Sequence, residues 1–200
     1  LYSVKMNVDP KNPKMPERDR LVLSKGHTAP ALYSVLAEKG FFPKEELKSL
    51  RHIGAMLQGH PDMKGTPGVD MSTGSLGQGI SAACGMALSA KLSGDAYKVY
   101  AVLGDGETEE GQVWEAAMFA AHNKLDNLVA IVDFNGLQID GPITEVCSPV
   151  PFPEKFEAFG WHVITMDAHD FNDIERAFDE AEKISGKPVA IIQKSVKGKG

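Results

Sequence analysis

Four short and almost continuous runs of apolar residues constrain the fold of this chain more than any other feature. They lie at 98–103, 128–134, 161–166 and 188–193. Segments with helical periodicity separate them, at about 112–124, 153–159 and 171–185. Strands that are apolar on both faces and alternate with helices form a mostly parallel sheet with helices packed on both sides. The sequence therefore predicts a doubly wound α/β domain.

The first half of the chain adds smaller elements to this pattern. We expect a loop up to about residue 19, a short strand at 20–24, and helices at 29–39, 43–51 and 76–92. Gly40 follows the first helix as a C-cap. Pro43 begins the second helix, in which acidic residues precede basic ones, the order that a helix dipole favours. The third helix is dense in Gly, Ala and Ser, which predicts that it is buried.

The segment 52–75 interrupts this regular pattern. It contains five glycines and two prolines, and no helix or strand period fits it. A loop of this length inside a compact domain is usually functional or disordered. We therefore expect part of the functional site to lie in this segment.

Composition and charge limit the class of protein. A chain of 200 residues that is 42% hydrophobic has enough apolar side chains for one domain over residues 1–200. Its net charge of −6 argues against nucleic acid or an anionic membrane as a partner, and no apolar run is long enough to span a bilayer. Cys84 and Cys147 are expected to be free thiols in a reducing cytoplasm, with Cys84 in the core.

An acidic turn follows the predicted strand at 98–103. It contains Asp105, Glu107, Glu109 and Glu110 within six residues. The simplest interpretation is a tight turn with acids that cap a helix. However, carboxylates at the carboxyl end of a parallel strand would repel a phosphate unless a divalent cation lay between them. Asp105, the Asn135 carboxamide and a nearby main-chain carbonyl supply the hard oxygen ligands that Mg²⁺ prefers, whereas the glycine spacing of a dinucleotide site is absent.

A series of motifs along the whole chain resembles the transketolase family. A Gly-Asp-Gly turn followed about thirty residues later by Asn135 is typical of thiamine diphosphate enzymes. Further matching segments occur in order at 23–27, 58–62, 72–79, 110–115, 124–128, 138–142 and 197–200. The chain is most similar to the amino-terminal, thiamine-diphosphate-binding subunit of transketolases that are split into two polypeptides. The resemblance implies the thiamine-diphosphate-binding fold.

The resemblance assigns roles to individual residues. It implies that Asp105, Asn135 and the main-chain oxygen of Leu137 bind Mg²⁺. The residues that it places at the cofactor are His27, His60, Gly74, Ser75, Leu76, Asp105, Gly106 and Asn135. Gly106 would let the backbone approach the diphosphate, and Lys25 is either a positive charge near it or a solvated side chain.

The resemblance also implies catalytic roles. His60 matches a histidine at the reacting end of the cofactor, where an imidazole can move protons. His27 matches a histidine at the diphosphate. Glu110 and Glu115 match acids in a proton network that joins the two sites of a dimer, although the residues alone would suggest solvated helix acids. The other histidines are expected to be structural or exposed: His52, His122, His162 and His169.

The implied activity is the transfer of a two-carbon ketol unit from a ketose phosphate to an aldose phosphate, as in the pentose phosphate pathway. Thiamine diphosphate and Mg²⁺ are the implied cofactors, and the implied partner is a pyrimidine-binding domain or subunit, which this chain does not contain. Two family histidines would lie outside residues 1–200, so we expect the domain to be truncated at both ends. The resemblance also implies a dimer or a heterotetramer, and we expect the protein in the cytoplasm.

Two other interpretations remain open from the sequence. One is a different thiamine-dependent enzyme, such as a deoxyxylulose-phosphate synthase or a 2-oxoacid dehydrogenase. The other is a non-catalytic module that binds thiamine diphosphate, because the glutamate that activates the cofactor and the sugar-phosphate site are absent from this chain.

Overall fold

A parallel sheet of five strands forms the centre of the domain in the computed structural model, which describes residues 1–139 and 141–199. Its strands are β1 (Arg20–Leu23), β2 (Val99–Gly104), β3 (Leu128–Phe134), β6 (His162–Asp167) and β7 (Val189–Lys194). Their order across the sheet is β1-β2-β3-β7-β6, and every neighbouring pair is parallel. Two short strands, β4 (Leu137–Gln138) and β5 (Gly141–Pro142), form a separate antiparallel hairpin after β3.

Helices cover both faces of the sheet. They are α1 (Ala29–Lys39), α2 (Gln78–Ser93), α3 (Gly111–His122), α4 (Ile143–Val146), α5 (Phe152–Ala158) and α6 (Phe171–Ala181). Short 3₁₀ helices lie at Gly26–Thr28, Lys44–Ser49 and Gly106–Glu109. In the described parts of the chain, no helix has the length and apolar character needed to cross a membrane.

Successive residues of each strand enter two different apolar cores, because side chains alternate between the faces of a sheet. On β2, Tyr100 packs with α1 and α6, whereas Ala101 packs with α2, α3 and α5. On β7, Ile191 and Ile192 divide in the same way. Both faces of the central strands are therefore buried, which confirms the predicted doubly wound α/β domain.

Most of the predicted elements are confirmed, and two local predictions need correction. The segment 43–51 forms a 3₁₀ helix at Lys44–Ser49 instead of a longer helix, and none of the residues in that 3₁₀ helix is buried. Leu47 packs against the core but is only partly buried, so this segment gains less from tertiary packing than a helix with a fully buried face. The hairpin of β4 and β5 was not predicted, because two-residue strands are too short to show an alternating pattern. The segment 52–75 contains no helix or strand, as predicted.

Helix α2 is buried through its small residues, as the sequence predicts. Ala83, Cys84, Ala87 and Ala90 are at most 2% exposed. Cys84 and Cys147 are free thiols, the first buried and the second exposed. Burial raises the pKa of the Cys84 thiol to about 12, so this cysteine is a neutral core residue.

Candidate cofactor site

Asp105 joins the turns that follow β2 and β3. Because Gly104 of β2 lies beside Asp133 of β3, the two turns leave the sheet next to each other. The Asp105 carboxylate is 2% exposed. Its Oδ1 accepts a hydrogen bond from the Gly106 amide at 2.9 Å, and its Oδ2 accepts one from the Gly136 amide at 2.6 Å. Asp105 is thus fixed at the carboxyl edge of the sheet, where α/β domains bind their ligands.

The electrostatic environment of Asp105 favours a cation. Burial and the neighbouring charge of Asp133 raise the pKa of Asp105, and hydrogen bonds from main-chain amides offset only part of this effect. Among the described residues, no Lys or Arg forms an ion pair with Asp105 within 4 Å. A buried carboxylate without a cationic partner is energetically costly. A bound divalent cation would remove that cost.

Asp133 shows the contrasting case one strand further along. Its carboxylate forms an ion pair with the Lys25 ammonium group and accepts a hydrogen bond from the Ser195 hydroxyl. Burial by itself would raise the pKa of Asp133, but the bonds from Lys25 and Ser195 outweigh burial and place this pKa below its ordinary value. Lys25 is therefore neither a solvated lysine nor an uncompensated positive charge.

The groups beside Asp105 fit Mg²⁺ in their donor chemistry. The Asn135 Oδ1 atom accepts the Leu137 amide hydrogen at 3.1 Å and keeps a second lone pair. Leu137 lies on the short hairpin after β3 and is 42% exposed. A carboxylate, an amide oxygen and a main-chain oxygen form the all-oxygen set that Mg²⁺ uses. No group of three or more His, Cys, Asp or Glu residues that could hold a metal occurs within residues 1–139 and 141–199.

A second edge of the site is formed by the turn after β1 and the long loop 52–75. A Cβ atom on Gly26 would lie 2.8 Å from the Gly74 nitrogen, so these two backbones are in direct contact. The Thr73 hydroxyl donates to the Leu23 carbonyl at 2.7 Å, and the Thr73 amide donates to the Pro61 carbonyl at 3.3 Å. Thr73 therefore joins the segments that carry His27, His60 and Gly74.

The two predicted catalytic histidines lie on these segments. His27 and His60 are both exposed. Partial burial, followed by the charge of Lys25, lowers the pKa of His27, so its imidazole is neutral at pH 7. The His60 ring packs against Gly74, where an added Cβ atom would lie 3.1 Å from His60 Cδ2. A cavity of about 230 Å³ next to them is lined by Met71, Ser72, Thr73, Gly74, Ser75, Gln78 and Gly79.

Three further predicted residues have different surroundings. A Cβ atom on Gly106 would lie 2.8 Å from Gln138 Cγ, so the close neighbour of this glycine in the structure is a side chain of the β4–β5 hairpin. Glu110 precedes α3 and Glu115 lies on it, and both are exposed. Neither side chain forms a hydrogen bond to Asp105 or Asn135 in the described part of the chain.

The remaining histidines do not join the site. His162 contacts Glu180 at 3.2 Å, and His169 Nε2 accepts the Val196 amide hydrogen at 2.9 Å. His52 and His122 are exposed. Of the motif residues quoted above, Asp140 and Gly200 lie outside the described residues.

Glu107 is a structural residue of the site that no sequence pattern identified. Its carboxylate is 2% exposed and accepts hydrogen bonds from Ser24, Gly77 and Gly104. The sequence shows Glu107 only as one acid among four. Its burial depends on contacts across the fold that a local pattern does not contain.

The fold defines an α/β domain of the class that binds ligands at the carboxyl edge of a parallel sheet, and the candidate site lies at that edge. The family model of the transketolase thiamine diphosphate binding domain matches residues 1–200. The chain therefore belongs to the transketolase family, as its thiamine-diphosphate-binding domain.

Similar proteins support this assignment and include transketolase subunits. The chain is 52% identical over 200 residues to the 6-deoxy-6-sulfo-D-fructose transketolase subunit SqwG of Clostridium sp., and covers 73% of that subunit. It is 44% identical to an apulose-4-phosphate transketolase subunit of Phocaeicola vulgatus, of which it covers 71%. Rat transketolase is 50% identical over 190 residues, but the chain spans only 30% of its length.

A solved transketolase has the same fold. The crystal structure of the Campylobacter jejuni enzyme matches 94% of this chain with a TM-score of 0.89 and 37% identity, and the match covers 31% of the Campylobacter chain. The resemblance to transketolase and the predicted fold are thus confirmed. The named relatives are transketolases, so the other thiamine-dependent enzymes and the non-catalytic module are not favoured.

Proposed function

We propose that this chain binds thiamine diphosphate through Mg²⁺ and forms one half of a transketolase active site. The complete enzyme transfers a two-carbon ketol unit from a ketose phosphate to an aldose phosphate. A pyrimidine-binding domain or subunit supplies the other half in a dimer or heterotetramer, and the enzyme acts in the cytoplasm. The observation that carries the proposal is the buried Asp105 carboxylate, which is held by two amides and has no cationic partner among the described residues.

Residues at the carboxyl edge would hold the cofactor. Asp105, the Asn135 side chain and the Leu137 carbonyl would bind Mg²⁺, and the main chain at Gly74–Leu76 would lie along the aminopyrimidine ring. Thiamine diphosphate supplies the electron sink that makes cleavage of a carbon–carbon bond possible.

The protein side chains would handle protons and hydrogen bonds. His60 is exposed beside Gly74, where its imidazole can donate to or accept from a substrate hydroxyl. His27 has a lowered pKa, so it can donate one hydrogen bond without adding a positive charge at pH 7. Glu110 and Glu115 are exposed at the start of α3 and available to a partner surface.

The substrate class follows from the relatives. SqwG is named for 6-deoxy-6-sulfo-D-fructose, and the relative from Phocaeicola is named for apulose 4-phosphate. Both relatives are subunits, and the chain covers about the same share of each. We therefore propose that the donor is a ketose with an anionic end group, either a phosphate or a sulfonate.

The proposal is tested by calorimetric titration of thiamine diphosphate with Mg²⁺, on the chain alone and after addition of a candidate pyrimidine-binding subunit. We expect weak binding alone, which tightens with the partner and supports ketol transfer from fructose 6-phosphate or 6-deoxy-6-sulfofructose. Tight binding that the partner does not change, without transfer, would instead indicate a stand-alone binding module.

Two variants locate the metal site in the same experiment. Asp105→Asn should remove Mg²⁺-dependent binding, because a neutral amide is a much weaker Mg²⁺ ligand than a carboxylate. Asp19→Asn is the matched control, since Asp19 is also buried, accepts two main-chain hydrogen bonds and lies at the opposite edge of the sheet. Wild-type binding by Asp105→Asn would show that the metal assignment is wrong.

A further inference from the structure

Glu107 is a buried acid whose two carboxylate oxygens are both used by protein donors. Oε1 accepts from the Ser24 hydroxyl and from the Gly77 amide at 2.9 Å. Oε2 accepts from the Gly104 amide at 3.0 Å. The residue is 2% exposed, and three protein donors already occupy its two carboxylate oxygens.

The three donors belong to three different turns at the carboxyl edge of the sheet. Ser24 begins the turn that carries His27. Gly77 precedes α2 and follows the Gly74–Leu76 segment. Gly104 ends β2 immediately before Asp105. One side chain thus connects the three turns that the proposed function assigns to the cofactor.

The packing around Glu107 explains why a carboxylate is required. A Cβ atom on Gly79 would lie 2.5 Å from Ser24 Oγ, so the start of α2 is already in tight contact with the β1 turn. Three hydrogen-bond donors converge there on two oxygen atoms. A carboxylate carries only acceptors, whereas a glutamine of the same shape would place an NH₂ group against at least one donor.

We infer that Glu107 is a positioning residue, whose carboxylate fixes the three cofactor-binding turns relative to one another without contacting the cofactor. The inference rests on the proposed function for the identity of the ligand. The geometric part, that one carboxylate couples three turns, is independent of that function and can be tested without ligand.

Asp19 offers a matched control within the same domain. It is 7% exposed and accepts main-chain hydrogen bonds from Asn7 at 2.8 Å and Lys98 at 2.7 Å. Lys98 directly precedes β2, so these bonds lie at the amino edge of the sheet. Asp19→Asn therefore removes a buried carboxylate with a similar environment, but at the amino edge of the sheet, opposite the proposed cofactor site.

The first experiment measures amide hydrogen exchange on the full chain without cofactor, comparing Glu107→Gln with Asp19→Asn. We expect exchange at 24–28, 74–79 and 104–108 to become about tenfold faster in Glu107→Gln, because a lost buried bond to a charged group allows local opening. Asp19→Asn should leave these three segments unchanged. Faster exchange in only one of them, or in none, would overturn the inference.

The second experiment measures thiamine diphosphate affinity at saturating Mg²⁺ with the pyrimidine-binding subunit present. Glu107→Gln should bind thiamine diphosphate about tenfold more weakly than wild type. The affinity of Asp19→Asn should stay within about twofold of wild type, even if its melting temperature falls as much as that of Glu107→Gln. An unchanged affinity in Glu107→Gln would show that the residue has a purely structural role.

A milder variant decides the case in which Glu107→Gln does not fold. Ser24→Ala removes one donor and adds no atoms, so exchange in the same three segments should rise about threefold. No rise would overturn the inference. If the wild-type chain bound no thiamine diphosphate, the proposed function would fail, while the exchange data would still decide whether Glu107 couples the turns.

Discussion

The Thr73 hydroxyl donates a hydrogen bond of 2.7 Å to the main-chain carbonyl of Leu23, the last residue of β1. This bond fastens the long loop 52–75 to the carboxyl edge of the sheet. It holds Gly74 against Gly26, so that the loop and the turn after β1 form one continuous surface of the candidate site.

Thr73→Val tests this attachment. Valine has nearly the same shape but cannot donate, so the Leu23 carbonyl loses its partner and the domain should lose about 1 kcal/mol of stability. Thiamine diphosphate affinity in the presence of the pyrimidine-binding partner should fall several-fold. Thr165→Val is the control, because Thr165 is exposed on β6 and its hydroxyl forms no hydrogen bond to the described residues. Equal affinities of the two variants would contradict the role of Thr73.

Gly79→Ala should destabilise the domain. The new methyl group would lie 2.5 Å from Ser24 Oγ and 2.7 Å from Ser24 Cα, so the backbone must shift. We expect a loss of about 2 kcal/mol, measured by urea unfolding.

Gly85→Ala is the matched substitution on the same helix. A Cβ atom on Gly85 would meet no atom within 4 Å. Alanine should therefore stabilise α2 by about 0.5–1 kcal/mol through helix propensity. Stabilisation by Gly79→Ala as well as by Gly85→Ala would contradict the tight contact at Ser24.

Lys25→Met should destabilise the domain in a pH-dependent manner. Lys25 and Asp133 form a pair whose side chains are 13% and 18% exposed, so removal of the ammonium group leaves a largely buried carboxylate without a cation. The pKa of Asp133 is lowered in the folded state. The pair therefore contributes its full stabilisation above the unfolded pKa near 4, and this stabilisation is lost as the pH falls through the folded pKa.

The stability difference between wild type and Lys25→Met should therefore be about 2 kcal/mol at pH 7 and shrink below about pH 4. Urea unfolding at pH 7, 5 and 3 measures it. Lys44→Met is the control, because Lys44 pairs with Glu38 on the surface, with both side chains more than half exposed. A stability difference that stayed constant with pH would mean that the effect of Lys25 does not depend on its ion pair with Asp133.

His60→Ala should separate binding from turnover. We expect cofactor affinity within about threefold of wild type and a turnover about a hundredfold slower in the complete enzyme. His52→Ala, in an exposed position on the same loop, should leave both unchanged. Wild-type turnover in His60→Ala would show that the reacting end of the cofactor lies elsewhere.

Gly74→Ala extends this test without removing the imidazole. The added methyl group would lie 3.1 Å from His60 Cδ2, and Gly74 has a φ of +157°, which alanine rarely adopts, so both the ring and the main chain must shift. Turnover should fall while the His60 side chain is still present, because catalytic groups tolerate little displacement.

The fold could be predicted from the sequence because its signals are local and repeated. Runs such as 128–134 are apolar at almost every position, and in the structure Ile131 and Val132 enter opposite cores. Weaker sequence patterns gave a wrong prediction where tertiary packing decides whether a segment forms a helix. Residues 43–51 have the charge order of a helix, but Leu47 is only partly buried against the core and the segment forms only a 3₁₀ helix at Lys44–Ser49.

The sequence by itself determined the doubly wound sheet, because apolar runs and helical periods are local patterns. The family and the candidate residues Asp105, Asn135, His27 and His60 followed from the ordered motifs that resemble transketolase. Only the tertiary structure decided which charges are compensated. Lys25 neutralises Asp133 across 108 positions of sequence, while Asp105 stays without a cationic partner in the described chain. Glu107 likewise gains its donors from Ser24 and Gly77, which lie 83 and 30 positions away. Such contacts arise when parallel strands bring distant turns to one edge, and no local pattern records them.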